Sequence, residues 1–303
     1  MPNMLPTQSK FQGIIFSVIA AISFAFSLVL ARVCYDYGTN PESILVVRFA
    51  VLLVLLLGWN LARGQSLRLP YQLAGGGLLI GMSYFIGIGS YLSAVSYIPV
   101  SLAVLIFYTF PIVVTLLTAT LAKRWPHPLQ FLALIVAFIG LVISLGVEME
   151  GLQTIGLIFA TVASIGIAIN MVASSYLLRH VPTTVFGFYM SVGTLLISLI
   201  VMTNHEGLVL PESTTGIWIF MGMLVSFIIG YFSVYNAIRI IGAEPASTTL
   251  NLEPIATILI AAVLLGELLT RQKILGGVIV LLGILMAQWP QLAAYKRKRY
   301  NKP

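Results

Sequence analysis

The sequence predicts an all-α polytopic membrane protein in which ten transmembrane helices form two inverted five-helix repeats. Three observations support this prediction. Of the 303 residues, 59% are hydrophobic and only 8% are charged, whereas soluble domains carry roughly 25% charged residues. The chain also aligns with itself at a fixed offset of 143 residues. Each repeat holds five spans, and an odd number of spans turns the second repeat upside down in the membrane.

The internal repeat extends over most of each half of the chain. At the offset of 143 residues, Pro254 aligns with Pro111, and the segment GLIFATVASIGIA aligns with GIIFSVIAAISFA without a gap. A register held over this length indicates a duplication. We therefore divide the chain into residues 1–150, the first five-helix repeat, and residues 151–303, the second and inverted repeat, which ends in a basic cytoplasmic tail.

Crossing a bilayer takes about 20 mostly apolar residues, and the chain contains ten stretches of this kind. In the first repeat they cover approximately residues 12–35, 43–61, 72–95, 99–121 and 128–147. In the second repeat they cover approximately residues 153–178, 183–203, 215–239, 245–267 and 271–290. The connections between them are short, so we expect no soluble domain.

Individual spans contain signals of their own. The first follows Lys10 without a convincing small-residue cleavage site, so we interpret it as a span rather than as a removed signal peptide. The third is rich in glycine, which lets membrane helices pack closely. The fourth and ninth contain Pro111 and Pro254, and a proline removes one backbone hydrogen bond from a helix. We expect each proline to form a hinge at a cavity wall; the alternative is a static kink.

Basic and acidic residues separate between the two sides of the predicted bundle. The loops on the side of the N-terminus are basic and contain Arg63, Arg68, Lys123, Arg124, Arg179, Arg239 and the tail at 296–299. The opposite loops are mainly acidic and contain Asp36, Glu42, Glu148, Glu150, Glu206 and Glu212. Because basic loops stay in the cytoplasm, we predict a multi-pass protein of the cell (inner) membrane with both termini cytoplasmic. The net charge of +7 then reflects topology, and we expect no nucleic-acid partner.

Glu253 is the most informative polar residue, because it lies inside the ninth span directly before Pro254. A carboxylate at the centre of a membrane helix costs about 2.5–3.5 kcal/mol on insertion scales, so such residues usually face a cavity. We expect Glu253 to exchange protons or to bind the amine of a substrate, which makes it the candidate coupling residue. The alternative is a structural carboxylate that forms hydrogen bonds near the break at Pro254.

Other polar and aromatic side chains inside the spans are candidates for the wall of a binding cavity. The predicted substrate-binding residues are Tyr84, Tyr108, Asn170, Tyr231, Asn251 and Glu253. Arg48 has two interpretations: its side chain snorkels to the outer interface, or it binds a substrate carboxylate. Arg32 and Asp36 are one helical turn apart, and we expect them to pair.

Several other classes of function fit the sequence poorly. It contains no zinc-ligand spacing, phosphate-binding loop or nucleophile elbow, and His127, His180 and His205 lie in separate loops. We therefore expect no enzyme activity, no cofactor and no metal site. A channel would more often need rings of identical residues contributed by an oligomer. The expected partners are the lipid bilayer, a small-molecule substrate and protons, and the sequence leaves the oligomeric state open.

The chain resembles the EamA family of the drug/metabolite transporter superfamily over nearly its whole length, as two copies. The most specific similarity lies in the ninth and tenth spans, at Glu253-Pro254, Gly266-Glu267, Gly276-Gly277 and Gly283. The segment RIIGA at 239–243 and the pair Arg48-Phe49 are also similar to the family. The first repeat departs from the pattern, with Phe110 and Arg124 at the positions equivalent to Glu253 and Glu267.

The resemblance implies ten helices around a central cavity and the export of small metabolites such as amino acids or drugs. Together with the candidate residues, it leads us to predict a secondary-active transporter that exports small amphipathic metabolites, amino acids or related compounds, by alternating access coupled to protons. The alternative is a broad drug/metabolite permease, or a facilitative, channel-like carrier without proton coupling. The sequence does not identify the substrate.

Overall fold

The structure is a computed structural model that describes residues 7–123, 125–126, 128–146, 153–202 and 207–300. All regular secondary structure in these ranges is α-helical. The helices of the first repeat are α1 (Thr7–Asp36), α2 (Pro41–Ala62), α3 (Tyr71–Ala94), α4 (Val100–Phe107), α5 (Phe110–Leu121) and α6 (Pro128–Leu145). Those of the second are α7 (Thr154–Leu177), α8 (Thr183–Met202), α9 (Thr214–Ile241), α10 (Ala243–Leu250), α11 (Leu252–Leu265) and α12 (Arg271–Tyr300).

Within the described residues, nine helical segments are long and apolar enough to cross a membrane. Two of them, Val100–Leu121 and Ala243–Leu265, each consist of two helices, α4 with α5 and α10 with α11. The tenth span is supplied by α12, a 30-residue helix that packs along α6. The prediction of an all-α membrane protein is therefore confirmed. Six residues that the sequence assigns to loops lie outside the described ranges: Arg124, His127, Glu148, Glu150, His205 and Glu206.

Both spans that contain a proline near mid-membrane are broken at that proline. Proline has no N–H, so the carbonyl group four residues earlier loses its helical donor. For Pro111 and Pro254 those earlier residues are Phe107 and Leu250, and they are the last residues of α4 and α10. Each of these spans is thus interrupted by one or two residues at its proline, which leaves polar backbone groups inside the bundle.

The short loops make consecutive spans antiparallel. We call the end of the bundle at which α1 ends and α2 begins the upper end, and the opposite end the lower end. Helix α1 runs from the lower to the upper end, whereas its repeat equivalent, α7, begins at the upper end. The second repeat is therefore inverted relative to the first, as an odd number of spans requires.

Close helix contacts repeat with the offset of 143 residues that relates the two halves of the sequence. In α6, Gly140 lies so near α12 that a Cβ added to it would be 2.6 Å from the backbone nitrogen of Val280. The equivalent residues, Gly283 and Ala137, make the same contact with the same 2.6 Å distance. The relation also holds for the pairs Gly87–Ile167 and Gly230–Phe24, and for Gly13–Ile241 and Gly156–Ile98. Equivalent residues therefore make equivalent contacts in the two repeats.

Substitution of Gly140 by alanine is expected to destabilise the protein, because the added methyl group meets backbone rather than a movable side chain. Overpacking of this kind typically costs about 1–3 kcal/mol. Gly58 in α2 is the matched control, since nothing lies within 4 Å of a Cβ added there, and alanine is the better helix former by about 1 kcal/mol. The unfolding transition of the purified protein in detergent should shift in opposite directions for the two variants. Shifts of the same sign would contradict the close contact between α6 and α12.

The upper and lower ends of the bundle are not packed alike. In the lower half, α3 lies against α8, where Gly81 contacts the carbonyl oxygen of Met190 and Gly193 contacts the α3 backbone. The repeat equivalents of these glycines are Leu224 in α9 and Ala50 in α2, and α9 makes little contact with α2. Helix α5 also packs against α10, whereas the equivalent pair, α4 and α11, hardly touches. The helices are thus closed together at the lower end and spread apart at the upper end.

Candidate functional site

A central cavity of about 320 Å³ lies in the middle of the bundle. Its wall includes Tyr35 and Pro41 at the upper ends of α1 and α2, and it reaches down to Asn170 in α7 and Leu250 at the end of α10. The cavity therefore extends toward the upper end, where the helices are spread. Its volume lies within the range of small-molecule sites, and its mainly apolar and aromatic wall is typical of them.

Glu253 borders this cavity at the break between α10 and α11. It lies in the first turn of α11, where the helix dipole stabilises a negative charge. The side chain of Tyr108, at the matching break between α4 and α5, lies close to the Glu253 carboxylate. The two broken spans thus bring together two residues that the sequence predicts for the binding site.

Phe110 occupies the position in the first repeat that is equivalent to Glu253. It lines the same cavity, and its ring centre lies 5.8 Å from that of Tyr108. Of the two symmetry-related positions, one therefore presents a carboxylate to the cavity and the other presents a phenyl ring.

The Arg48 guanidinium group also borders the cavity. It reaches from α2 to α1 and α9, with Nη2 at 2.8 Å from the Ser27 hydroxyl and Nε at 3.0 Å from the Met223 sulfur. Its central carbon lies 5.0 Å from the centre of the Phe227 ring, which is a cation–π distance. The prediction that Arg48 snorkels to the outer interface is wrong, because contacts inside the bundle hold its charge at the cavity wall.

The two charged groups of the cavity do not form an ion pair with each other. Among the described residues, ion pairs involve surface groups, and one of them, Arg32 with Asp36 at 2.8 Å, confirms a predicted pair. Arg48 and Glu253 are near enough to interact electrostatically, yet neither belongs to an ion pair in this part of the chain. The cavity therefore presents a positive and a negative group that can each bind an opposite charge on a ligand.

Tyrosine side chains form a further part of the wall. The Tyr84 ring meets Phe49 edge-on with 5.3 Å between ring centres, and the Tyr231 ring lies 4.7 Å from that of Tyr235. The Tyr231 hydroxyl is 3.4 Å from the sulfur of Met190. Neighbouring side chains thus fix these rings in place, so the wall is formed before a ligand enters.

The two predicted asparagines have different surroundings. Asn170 borders the cavity, but its amide is already bonded: Nδ2 donates to the Ile80 carbonyl at 2.9 Å, and Oδ1 accepts from the Tyr235 hydroxyl at 3.0 Å. These bonds tie α3, α7 and α9 together. Asn251 lies between α10 and α11, is only 3% exposed and does not line the cavity. Its Oδ1 has no hydrogen-bond partner among the described residues.

Most of the residues predicted from sequence lie around one cavity, but the prediction was incomplete. The cavity is lined by Tyr84, Tyr108, Asn170, Tyr231, Glu253 and Pro254, and not by Asn251 or Pro111. It also includes Tyr91, whose spacing of seven residues from Tyr84 was a usable signal, because it puts both on one face of α3. The signal for Arg48 was its charge inside a span. The described residues contain no cluster of three His, Cys, Asp or Glu side chains suited to a metal ion.

Comparisons with known proteins agree with this architecture. The EamA-like transporter family matches the chain twice, over residues 11–146 and 154–289, which again differ by 143. An uncharacterized transporter of Archaeoglobus fulgidus is 25% identical over 295 residues, covering 92% of this chain and 99% of that protein. An uncharacterized transporter of Clostridium kluyveri is 24% identical over 288 residues, covering 91% and 92%. A solved structure, "Crystal structure of protein", shares the fold with a TM-score of 0.77 at 21% identity, over 94% of this chain and 99% of that one.

Proposed function

Because the chain belongs to the EamA-like transporter family, we propose that it exports small zwitterionic metabolites, amino acids above all, in exchange for protons. We base the proposal on one observation: Arg48 and Glu253 line the same cavity and are not paired with each other. A guanidinium group binds a carboxylate through two parallel hydrogen bonds, and a carboxylate binds an ammonium group. A free α-amino acid carries both of these groups on one carbon, and the apolar wall offers room for its side chain.

The charge of the cavity disfavours polyanionic substrates. Arg48 is the one positively charged side chain among the described residues that line it, and Glu253 is the one negatively charged side chain. A sugar phosphate would need several cations, and the nearby Glu253 would repel it. A substrate with one positive and one negative group matches the balance of charge on the wall.

Glu253 also accounts for exchange with protons. Its carboxylate binds either a proton or the ammonium group of a substrate, so the two compete for the same oxygen atoms. If only the protonated or the substrate-bound form changes conformation, movement of one ligand inward requires movement of the other outward. The nearby Tyr108 hydroxyl is placed to orient the carboxylate in both forms.

The direction of the proposed transport is set by the proton gradient, because an exchanger moves its substrate opposite to the proton. Basic loops favour a cytoplasmic lower end, so in this conformation the cavity faces the outside of the cell (inner) membrane. A proton that enters from outside then neutralises Glu253 and is released on the cytoplasmic side. The substrate leaves by the reverse route, which is export.

Arg48→Gln is expected to weaken amino-acid binding by roughly 10- to 100-fold, because a hydrogen bond between charged partners contributes about 1.5–3 kcal/mol. A thermal-shift screen of amino acids on the detergent-solubilised protein identifies the best ligand, since a ligand that binds the folded state raises its melting point. The variant is then tested with that amino acid and with the amine that lacks its carboxylate. Binding of the amine should change little.

The control for this experiment is Arg32→Gln, because Arg32 pairs with Asp36 at the exposed end of α1 and does not line the cavity. Unchanged amino-acid binding by Arg48→Gln would refute the carboxylate role. If Arg48→Gln weakened binding of the amino acid and of the amine equally, Arg48 would instead serve to hold α1, α2 and α9 together.

A further inference from the structure

A second cavity, of about 490 Å³, lies at the upper end between α2, α3 and α8. It arises because α3 leaves α8 above their contact at Gly81 and turns to α7, where Gly87 packs against Ile167. We call it the outer pocket. Its polar lining consists of Glu42, Ser90, Ser93, Ser96 and Ser198, and the rest of the wall is apolar.

Three of the five polar side chains of the outer pocket, Glu42, Ser93 and Ser198, present hydrogen-bond acceptors to it. The Ser93 hydroxyl donates its proton to the Gly89 carbonyl at 3.0 Å, and the Ser198 hydroxyl donates to the Thr194 carbonyl at 2.8 Å. A hydroxyl group has a single proton, so these two oxygens offer only lone pairs to a ligand. Glu42 adds a carboxylate, and among the described residues it belongs to no ion pair.

Helix α2 itself stabilises the negative charge of Glu42. This residue lies in the first turn of the helix, where the helix dipole favours an anion. No lysine, arginine or histidine is part of the described lining. The pocket therefore attracts a group that is positive and donates hydrogen bonds. A bare metal ion would leave the apolar wall unused, whereas an organic ammonium ion has a body to place there.

Only a thin wall separates the outer pocket from the central cavity. Leu45 of α2 and Leu92 of α3 line both cavities. The lining at the upper end of the outer pocket includes Glu42, in the first turn of α2, and Ser96, in the turn that follows α3. The pocket is thus positioned beside the route by which a ligand passes between the central cavity and the upper end.

We infer that the outer pocket is a second binding site, which holds an organic ammonium ion between Glu42 and the serine hydroxyls while the apolar wall covers its carbon body. Rotation of Leu45 and Leu92 would connect this site to the central cavity. The inference goes beyond the proposed function and does not depend on which substrate the central cavity binds.

Binding of phenethylammonium to the full-length protein in nanodiscs, measured by calorimetry, tests the outer pocket. The measurement uses the Glu253→Gln variant, in which the central carboxylate is absent. This variant should still bind phenethylammonium, and addition of Glu42→Gln should weaken that binding at least about tenfold, as expected for loss of a charged hydrogen bond. Unchanged binding after Glu42→Gln, or no binding by Glu253→Gln alone, would overturn the inference. Neither outcome affects the amino-acid test of Arg48, so the two proposals can fail separately.

Thiol labelling gives an independent measurement that does not need tight binding. Ser93→Cys is introduced into a Cys34→Ala chain, because Cys34 is the one natural cysteine. A cationic methanethiosulfonate reagent should modify the cysteine at position 93 several-fold faster than an anionic reagent of similar size. Phenethylammonium should slow the reaction with the cationic reagent. Glu42→Gln should remove most of this difference. Equal rates for the two reagents in the presence of Glu42 would contradict an ammonium site.

Discussion

Glu253→Gln is expected to abolish transport driven by a pH gradient while the protein still folds and inserts into the membrane. Glutamine keeps the size of glutamate and can accept a hydrogen bond from the nearby Tyr108 hydroxyl, but it cannot ionise. The variant therefore has no group that exchanges a proton for an ammonium ion. Uptake of the best-binding amino acid into proteoliposomes with an imposed pH gradient should fall to the level of protein-free liposomes.

The matched control is Glu267→Gln, since Glu267 is an exposed residue of the second repeat whose partner is Lys273 at 3.4 Å. Its transport should equal that of the wild type. If Glu253 served only to hold the break between α10 and α11, Glu253→Gln would transport normally and Glu253→Leu would lower the folded yield. An equal response of Glu253→Gln and wild type to the gradient would exclude Glu253 as the coupling residue.

Gly81→Leu is expected to open the lower end of the bundle. A side chain at this position collides with the Met190 carbonyl oxygen, and leucine is the residue at the equivalent position, Leu224, on the open side. Overpacking that costs about 1–3 kcal/mol changes a two-state ratio by roughly 5- to 150-fold. The conformation with a closed lower end should lose population by this factor.

Reactivity of a cysteine at position 247 in α10 reports the change, because Ser247 is fully buried in the closed lower half. In a Cys34→Ala background, Gly81→Leu should raise the labelling rate of Ser247→Cys by roughly 5-fold or more. Gly58→Leu is the control, since a side chain there meets open space. Gly81→Ala provides a milder variant if leucine prevents folding. Unchanged labelling in a folded Gly81 variant would show that this contact does not hold the lower end closed.

The sequence was sufficient for the architecture, because apolar spans, the internal repeat and the two mid-span prolines can be recognised without knowledge of side-chain packing. Pro111 and Pro254 identified the positions of the helix breaks, and Glu253 was recognisable from the cost of an intramembrane charge. The side-chain direction of Arg48 was not predictable, since it depends on how Ser27 of α1 and Met223 of α9 approach α2. These contacts join residues far apart in the sequence.

Cavities were harder to predict than helices, because they form where packing is absent. Asn251 was predicted to bind substrate because it is a polar residue inside a span, yet it does not line the cavity. The outer pocket has no sequence signature, since it results from the divergence of α3 and α8 above Gly81. The sequence shows one sign of the different packing at the two ends of the bundle. Gly81 and Gly193, at the contact between α3 and α8, are replaced by Leu224 and Ala50 at the equivalent positions of the other repeat.

The phenyl ring of Phe110 at the position equivalent to Glu253 sets the energetics of the proposed exchange. With one carboxylate in the cavity, each cycle takes in one proton for one substrate of zero net charge, so one positive charge crosses the membrane. Export is then electrogenic, and 100 mV of membrane voltage contributes about 2.3 kcal/mol. A pH difference of one unit adds roughly a further tenfold to the attainable substrate ratio. Carboxylates at both positions would exchange two protons for each substrate and would square the attainable ratio of substrate concentrations. A single carboxylate therefore suits the release of excess metabolite rather than the formation of a steep substrate gradient.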